Sequence, residues 1–318
     1  MVIPMPHDDP AKVLDTLPPA IRSGYESDLC YCKGDFDAVK RLYREASCGE
    51  EAIPPAWSSI IGTAIGTGDY ALFREVEMSL KRRLEAEPAE RKVLLEALLS
   101  IGPVSAYSPE LAPRWLKTGD IDVLPQQARL LGVYLRAKYL QVTGSYREML
   151  SVLQTAIAFF PGQGGFTMAD IYIRILCACA EVALGHQDRA QEWLLAAMRF
   201  GLPQGFITPF AESMMNLGGL MESCLTRYYP EMHDEVTRQH EFLLKHWIGF
   251  HNAFEQDHIT LCLTTSEYRV AALASAGETN AEIAQRLGCS ISNVKKILSS
   301  VFAKLFITRR EQLKEYIL

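Results

Sequence analysis

The stretch from Thr279 to Leu298 reads TNAEIAQRLGCSISNVKKIL and decides the fold of the C-terminal part of the chain. It holds two short amphipathic segments separated by a break of about three residues at Gly288. Glycine in such a break allows the left-handed backbone of a tight turn. Thr279 and Glu282 have the spacing of a capping box before the first segment, and Ser290 is a capping residue before the second. The pattern predicts a helix-turn-helix.

The flanking residues extend this unit to four predicted helices that reach the end of the chain. The first begins at Thr264, where Glu267 three residues later forms another capping box, and it ends near Gly277. The second and third helices lie on either side of the break. The fourth covers Arg309–Ile317.

The third helix has two different faces. One face is an apolar stripe with intervals of four, three and four, formed by Val294, Leu298, Val301 and Leu305. We expect this stripe to pack on the first two helices. The other face is small or cationic and consists of Ser292, Lys296, Ser299 and Ala303, flanked by Lys295. Such a face suits a major groove, because small residues allow close approach and lysines bind phosphates or guanine edges. An ordinary solvated helix face has the same composition, so the face alone leaves both interpretations open.

The whole segment resembles the LuxR-type (LuxR/FixJ, GerE-like) DNA-binding domain over about 55 residues. The matching positions are Leu263-Thr264, Glu267, Val270, Leu273, Ala276, Asn280, Glu282-Ile283-Ala284, Leu287, Ser290, Val294-Lys295, Phe302, Lys304-Leu305 and Arg310. They are dense and in register. The resemblance implies a four-helix domain that binds double-stranded DNA.

The resemblance also implies roles for particular residues. Lys295, Lys296 and Ser299 occupy positions that face bases, and Ser292 and Asn293 lie where the helix N-terminus approaches a phosphate. It further implies a homodimer formed through the last helix. That helix has an apolar side made of Leu313, Tyr316 and Ile317, although Leu313 also suits the core.

Five positions depart from the family pattern. Ser266 stands where the family usually has Arg, and Arg269 where it usually has Glu. Asn293 replaces the usual Thr and Ile297 a frequent His, while Phe306 replaces a residue that tolerates positive φ. These departures leave open a weaker or altered DNA specificity.

Charge is unevenly distributed along the chain. Residues 263–318 contain eight Lys and Arg against five acidic residues, a net charge of +3, whereas the whole chain carries −6. Residues 1–262 therefore carry −9. A basic tail on an acidic body suggests an anionic partner for the tail alone.

The body, residues 20–250, has helical periodicity and a recurring local pattern in which a glycine ends one helix before an amphipathic helix begins. The glycines are Gly34, Gly68, Gly144 and Gly185. The first interval is 34 residues, the period of a tetratricopeptide repeat (TPR), but the later intervals of 76 and 41 are not multiples of it. We predict TPR-like helical hairpins, with a generic helical bundle as the alternative.

A second stretch of the body carries a resemblance of its own. The segment from Asp188 to Ser213 resembles the end of the helical sensor region in MalT-like LuxR regulators, through Gly205, Phe206, Pro209 and Phe210. Those regulators also contain an ATPase module. This sequence has no G-x-x-x-x-G-K-[ST] motif, and GTAIGTGDY (62–70) lacks the lysine that would reach a phosphate. We therefore expect a sensor without an ATPase.

Patterns for other chemistry are weak. The eight cysteines (Cys30, Cys32, Cys48, Cys177, Cys179, Cys224, Cys262 and Cys289) have neither CxxC spacing nor the look of a disulfide framework. The histidines His233, His240, His246, His251 and His258 lack the spacing and acidic partners of a metal site. We predict no enzymatic activity, no metal and no cofactor.

We expect no targeting signal and no membrane segment. The first residues, MVIPMPHDDPAK, lack the basic start and the apolar run of a signal peptide, and no window holds eighteen uninterrupted apolar residues. We expect no membrane contact and a cytoplasmic, nucleoid-associated protein.

The sequence therefore predicts an all-α bacterial transcription regulator with two domains. A TPR-like helical body, residues 1–251, senses a small-molecule or protein effector, and a linker, 252–262, joins it to a LuxR-type DNA-binding domain, 263–318. The alternative is a protein-interaction scaffold whose tail has kept the fold and lost DNA binding.

Overall fold

The computed structural model describes residues 14–15, 17, 19–46, 57–106, 108–159, 168–217, 219–255, 263, 265–305 and 307–317. Within these ranges the regular structure is helical throughout and contains no strand. The prediction of an all-α chain is confirmed.

The helices of the body are α1 (Pro19–Lys33), α2 (Phe36–Ala46), α3 (Trp57–Gly66), α4 (Tyr70–Ala86), α5 (Ala89–Leu99), α6 (Ile101–Ser105), α7 (Arg114–Thr118), α8 (Arg129–Val142), α9 (Tyr146–Phe159), α10 (Met168–Ala183), α11 (Gln187–Gly201), α12 (Thr208–Leu217), α13 (Gly219–Tyr228) and α14 (Pro230–Glu255). Short 3₁₀ helices at Pro109–Leu111, Ile121–Val123, Gln126–Ala128 and Leu202–Gln204 connect some of them. The C-terminal part contains α15 (Thr265–Ser275), α16 (Asn280–Arg286), α17 (Ile291–Lys304) and a 3₁₀ helix, Arg310–Glu315.

Four helical hairpins form where the sequence pattern places them: α1–α2, α3–α4, α8–α9 and α10–α11. Each turn contains one of the predicted glycines, and φ is +80° at Gly34, +66° at Gly68, +72° at Gly144 and +83° at Gly185. The turns share one bonding pattern, shown by Gly34 N donating to Tyr31 O (3.0 Å) and Asp35 N to Cys30 O (2.9 Å). This is a Schellman motif, which satisfies the last carbonyls of the first helix and reverses the chain.

The centre of the body is α10. It packs against α8, α9, α11 and α12, and its side chains from Ile175 to Val182 are all buried. Apolar residues cover this helix nearly all round, as expected of a helix with neighbours on every side. The other helices therefore assemble around it.

The long helix α14 leads from the body towards the C-terminal domain. It packs on α3, α4, α12 and α13. Its last turns stay helical because Phe250 and Phe254 pack on Phe73 with ring centroids 5.0 and 5.8 Å apart. The predicted linker, 252–262, therefore begins inside this helix, which runs on to Glu255, and residues 256–262 lie outside the described ranges.

The last element differs from the sequence prediction. An α-helix over Arg309–Ile317 was expected, but the chain forms a 3₁₀ helix of six residues. The side chain of Gln312 accepts hydrogen bonds from the backbone N–H groups of Thr308 (3.0 Å) and Arg309 (2.9 Å) and so tightens the entry to this turn. Leu313 and Ile317 are buried in the domain core, which leaves only Tyr316 of the predicted apolar side exposed.

Candidate nucleic-acid interface

The start of α16 is held by a reciprocal cap. Thr279 N–H donates to the carboxylate of Glu282 (2.6 Å), and Glu282 N–H donates to the Thr279 hydroxyl (3.3 Å). These are the two bonds of a capping box. The donation from the Thr279 backbone lowers the pKa of Glu282, since it stabilises the ionised carboxylate. The first turn of α16 is thus anchored before the helix-turn-helix junction.

The junction between α16 and α17 consists of residues 287–290. Gly288 has φ +62°, and Cys289 N–H donates to Ala284 O at 3.0 Å. The hydroxyl of Ser290 then accepts from Asn293 N–H at 3.1 Å and caps α17. The short break is therefore present. So are the predicted caps of both helices, Thr279 with Glu282 before α16 and Ser290 before α17.

The apolar face of α17 lies in the core of the C-terminal domain. Its four stripe residues, Val294, Leu298, Val301 and Leu305, are between 0% and 7% exposed. They pack with residues of α15 and α16, including Val270 and Ile283. The face predicted to be inward is therefore buried.

The opposite face of α17 is open to solvent. Ser292, Asn293, Lys295, Lys296 and Ser299 are all exposed. The sequence of the helix, ISNVKKILSSVFAK, contains no acidic residue. Burial of one face leaves these small and cationic side chains on a convex surface that can enter a groove.

One contact between α17 and α15 was not foreseen from the sequence. The Ser300 hydroxyl donates to the carboxylate of Glu267 at 2.6 Å, and Glu267 is buried. Glu267 was predicted to cap α15 together with Thr264, which lies outside the described residues. The bond ties the middle of α17 to α15 and so orients the exposed face.

Arg310 makes a second unforeseen tie. Its guanidinium donates to Asn280 Oδ1 at 2.7 Å and to the carbonyl oxygen of Glu278. Arg286 pairs with the Glu278 carboxylate at 2.5 Å. The Arg310 bonds fasten the last 3₁₀ helix to the start of α16, and the Arg286–Glu278 pair joins the end of α16 to the segment just before it. The sequence signal was the match at Arg310 alone.

The structure also places two apolar residues of α17, Ile291 and Ile297, in different surroundings. Ile291, the first residue of α17, is 47% exposed although it is apolar, and it lies outside the inward stripe. Ile297, by contrast, is partly buried and packs against the domain core. The departure at Ile297 therefore lies at the edge of the domain core.

The C-terminal domain also contacts the body. The ring of Trp247 on α14 lies 5.7 Å from the ring of Tyr268 on α15. Helix α16 contacts α13, where Gly219 lies so near Arg286 that an added Cβ would be 3.3 Å from its carbonyl oxygen. These contacts leave the cationic face of α17 uncovered.

The capped junction, the short turn and the exposed cationic helix define a helix-turn-helix domain. Residues 261–317 match the GerE family model, described as bacterial regulatory proteins, luxR family. The C-terminal domain is a LuxR-type DNA-binding domain. This match supports the role of a DNA-binding transcription regulator. The match does not extend to the body. No curated protein and no solved structure gives a significant match to the chain.

The described ranges show no arrangement typical of a metal site or a membrane span. No group of three or more His, Cys, Asp or Glu side chains in those ranges is placed to hold a metal ion. His240 and His251 are buried, and each Nδ1 is hydrogen-bonded to a backbone carbonyl, Ala211 O at 2.8 Å and Ala106 O at 3.0 Å. No described helix is long and apolar enough to cross a bilayer.

Proposed function

We propose that the protein is a sequence-specific transcription regulator whose α17 reads the major groove and whose helical body senses an effector and controls that reading. The carrying observation is the two-faced α17, with its apolar stripe buried and its cationic face exposed on a capped helix-turn-helix. In this proposal Lys295, Lys296 and Ser299 face bases, while Ser292 and Asn293 contact a phosphate.

Homodimerisation belongs to the same proposal. One helix in one groove makes few contacts, so specific binding calls for two copies on half-sites about 34 Å apart. Leu313 and Ile317 are buried within the domain, while Tyr316, 38% exposed, is an apolar group of the last segment that is available to a partner. We expect the dimer contact of the C-terminal domain to include Tyr316.

The proposed TPR-like character of the body is supported by the hairpins. In each of the four glycine-closed hairpins the first helix lines one common cavity, and no residue of the second helix does. Such a division into inner and outer helices is what a stack of helical hairpins curving around a concave surface produces. We propose that this inner surface is the sensor and that residues 1–255 form one domain.

Selection of bound sequences from a random DNA pool tests the proposal. We expect the full-length protein to enrich a two-fold symmetric motif, and K295A/K296A to abolish the enrichment. The matched control is K314A, which removes an exposed lysine of the same domain outside α17. Enrichment that survives in K295A/K296A would refute the role of α17. Enrichment by a fragment from residue 252 onward and not by the full chain would show that the body restrains the reader.

A second candidate is a scaffold whose tail no longer binds DNA. The observation that favours it is the modest charge of +3 on residues 263–318. DNA binding through phosphates weakens steeply with added salt, so a retention assay on random duplex DNA at two salt concentrations separates the candidates. No salt-sensitive retention by either the full chain or the fragment would favour the scaffold.

A further inference from the structure

The body contains a partly open cavity of about 310 Å³ between α1, α3, α6, α8, α10, α12 and α14. This volume is at the lower end of the range for small-molecule sites. Most of the lining is apolar, with Ile65, Val104, Leu131, Ile173 and Leu243 among the side chains. An apolar chamber with a few polar groups is the usual form of a site for an organic ligand.

The polar groups of the cavity are gathered on a few helices. The Tyr31 hydroxyl on α1 donates a hydrogen bond to the Glu212 carboxylate on α12. The Asp28 carboxylate on α1 accepts a hydrogen bond from the Ser59 hydroxyl on α3. Both carboxylates thus have a hydrogen-bond donor. Burial raises the pKa of Glu212 to about 7, and the hydrogen bond from Tyr31 opposes that rise. Glu212 therefore carries only part of a negative charge near neutral pH.

Lys138 on α8 is in a different situation. Its side chain lines the cavity, and it has no hydrogen bond or ion pair with any of the residues that the structure describes. Burial lowers the pKa of Lys138, because a low-dielectric surrounding disfavours the ammonium ion, and the nearby Cys179 and Glu212 oppose that lowering. Glu212 thus lies within electrostatic range of Lys138 but makes no direct ion pair with it, and the carboxylate of an anionic ligand would supply that direct pairing.

We infer that this cavity is an effector site for a small organic acid, in which Lys138 pairs with the carboxylate of the ligand and the apolar lining holds its hydrocarbon body. An amine is the less suitable ligand, since both cavity carboxylates already accept hydrogen bonds while the ammonium of Lys138 has no described acceptor. Tyr134 and Tyr172, whose rings meet edge to face with centroids 5.7 Å apart, line the same cavity and offer aromatic contacts.

Helix α14 connects the cavity to the DNA-binding domain. Trp247 lines the cavity, donates from Nε1 to Ser105 O at 2.9 Å and packs its ring on Tyr268 of α15. His240 also lines the cavity, and Arg269 of α15 lies within electrostatic range of its ring. Burial lowers the pKa of His240, and the charge of Arg269 lowers it further. Arg269, one of the five positions that depart from the family pattern, thus lies on the side of α15 that faces the body.

The regulatory step rests on the function proposed above. A ligand that shifts Trp247 changes the packing of α15, and through the Ser300–Glu267 bond it changes the orientation of α17. Ligand binding then shifts the population of protein able to bind DNA. The binding step is independent of DNA and can be tested without an operator.

Calorimetry of the full-length protein with hexanoate, octanoate and 3-phenylpropanoate tests the binding step, each acid being paired with its primary amide. We expect at least one acid to bind about tenfold more tightly than its amide, as for a hydrogen bond to a charged group. K138M should make the pair equal, whereas K245M, which removes an exposed lysine of α14, should keep the difference. The inference is overturned by binding of none of the acids, by acid preference that persists in K138M, or by tighter binding of 3-phenylpropylamine. The comparison of acid with amide in the unaltered protein stands even where K138M does not fold.

The selected DNA motif tests the coupling. We expect the bound acid to change DNA affinity severalfold, and Y268L to bind the acid normally while that change disappears. Acid binding without any DNA motif would leave the cavity assignment standing and refute the regulator. A selected DNA motif together with no acid binding would leave the regulator standing and refute the cavity assignment.

Discussion

The hydroxyl of Ser300 on α17 donates a hydrogen bond of 2.6 Å to the buried carboxylate of Glu267 on α15. This bond joins the helix that carries the cationic face to the helix that contacts the body. The exposed Lys295 and Lys296 give α17 its positive charge, whereas Ser300 attaches the helix to α15. Stability of the domain and recognition of DNA are therefore separable by mutation.

Replacing Ser300 separates them directly. S300A removes a donor from a buried carboxylate, so we expect it to lower the free energy of unfolding by about 1–3 kcal/mol in urea denaturation. S299A makes the same chemical change at the adjacent exposed position and should alter stability by less than about 0.5 kcal/mol. Equal effects of the two variants would show that the Ser300–Glu267 bond contributes no stability.

The two lysines of the cationic face should differ from other lysines in their DNA effects. A lysine that contacts a base is expected to relax the preferred sequence when it is replaced, at a cost of about 1–3 kcal/mol. We expect this of K295A and K296A in equilibrium binding to the selected site and to single-base variants of it. A uniform loss of affinity with a salt slope smaller by about one unit would instead assign that lysine to a phosphate.

The hairpin turns permit a matched comparison of strain and clash. G144A has no atom within 4 Å of the added Cβ, so its cost comes from the positive φ alone, about 1 kcal/mol. Gly68 has a similar positive φ, +66° against +72° at Gly144, and G68A also places Cβ 2.8 Å from His246 O on α14. We expect G68A to lower the melting temperature more than G144A does. The opposite order would mean that α14 does not pack on this turn in solution.

Glu212 should make the stability of the body depend on pH. Its pKa rises from 4.5 to about 7 on folding, mainly because of burial, so the folded state binds the proton more tightly. Stability from this group is present at low pH and is lost as the pH rises from about 4.5 to about 7, by at most about 3 kcal/mol. The titratable groups that face it are Tyr31, Cys32, Tyr134, Lys138 and Tyr172.

Urea denaturation across this pH range measures the effect. E212Q cannot ionise, so the part of the pH dependence due to Glu212 should vanish from that variant. E192Q, at an exposed position on α11, is the control and should follow the unaltered protein. A variant E212Q with an unchanged pH profile would place the titration elsewhere.

Local signals predicted the local features well. The positive φ of Gly34, Gly68, Gly144 and Gly185 could be read from glycines placed before amphipathic segments, because few other residues adopt that conformation. The buried stripe of α17 followed from its periodicity in the same way. Short-range geometry is encoded within a few residues.

Two element ends in the structure differ from the expected bounds for a common reason. The linker was placed from 252 although α14 continues to Glu255, held by the packing of Phe254 on Phe73. The last helix was expected over Arg309–Ile317, whereas the chain forms a 3₁₀ helix over Arg310–Glu315, and Leu313 and Ile317 are buried in the domain core. In both cases a contact with distant residues overrides the local preference.

The sequence by itself determined the helical class, the closing glycines of the hairpins, and a helix-turn-helix with one buried and one cationic face. These depend on spacing and on backbone conformation, which neighbouring residues control. Only the tertiary structure decided that Lys138, Glu212 and Tyr31 line one cavity and that Trp247 packs on Tyr268. Those residues come from helices far apart in the chain, and their meeting depends on how the hairpins stack, which no local pattern specifies.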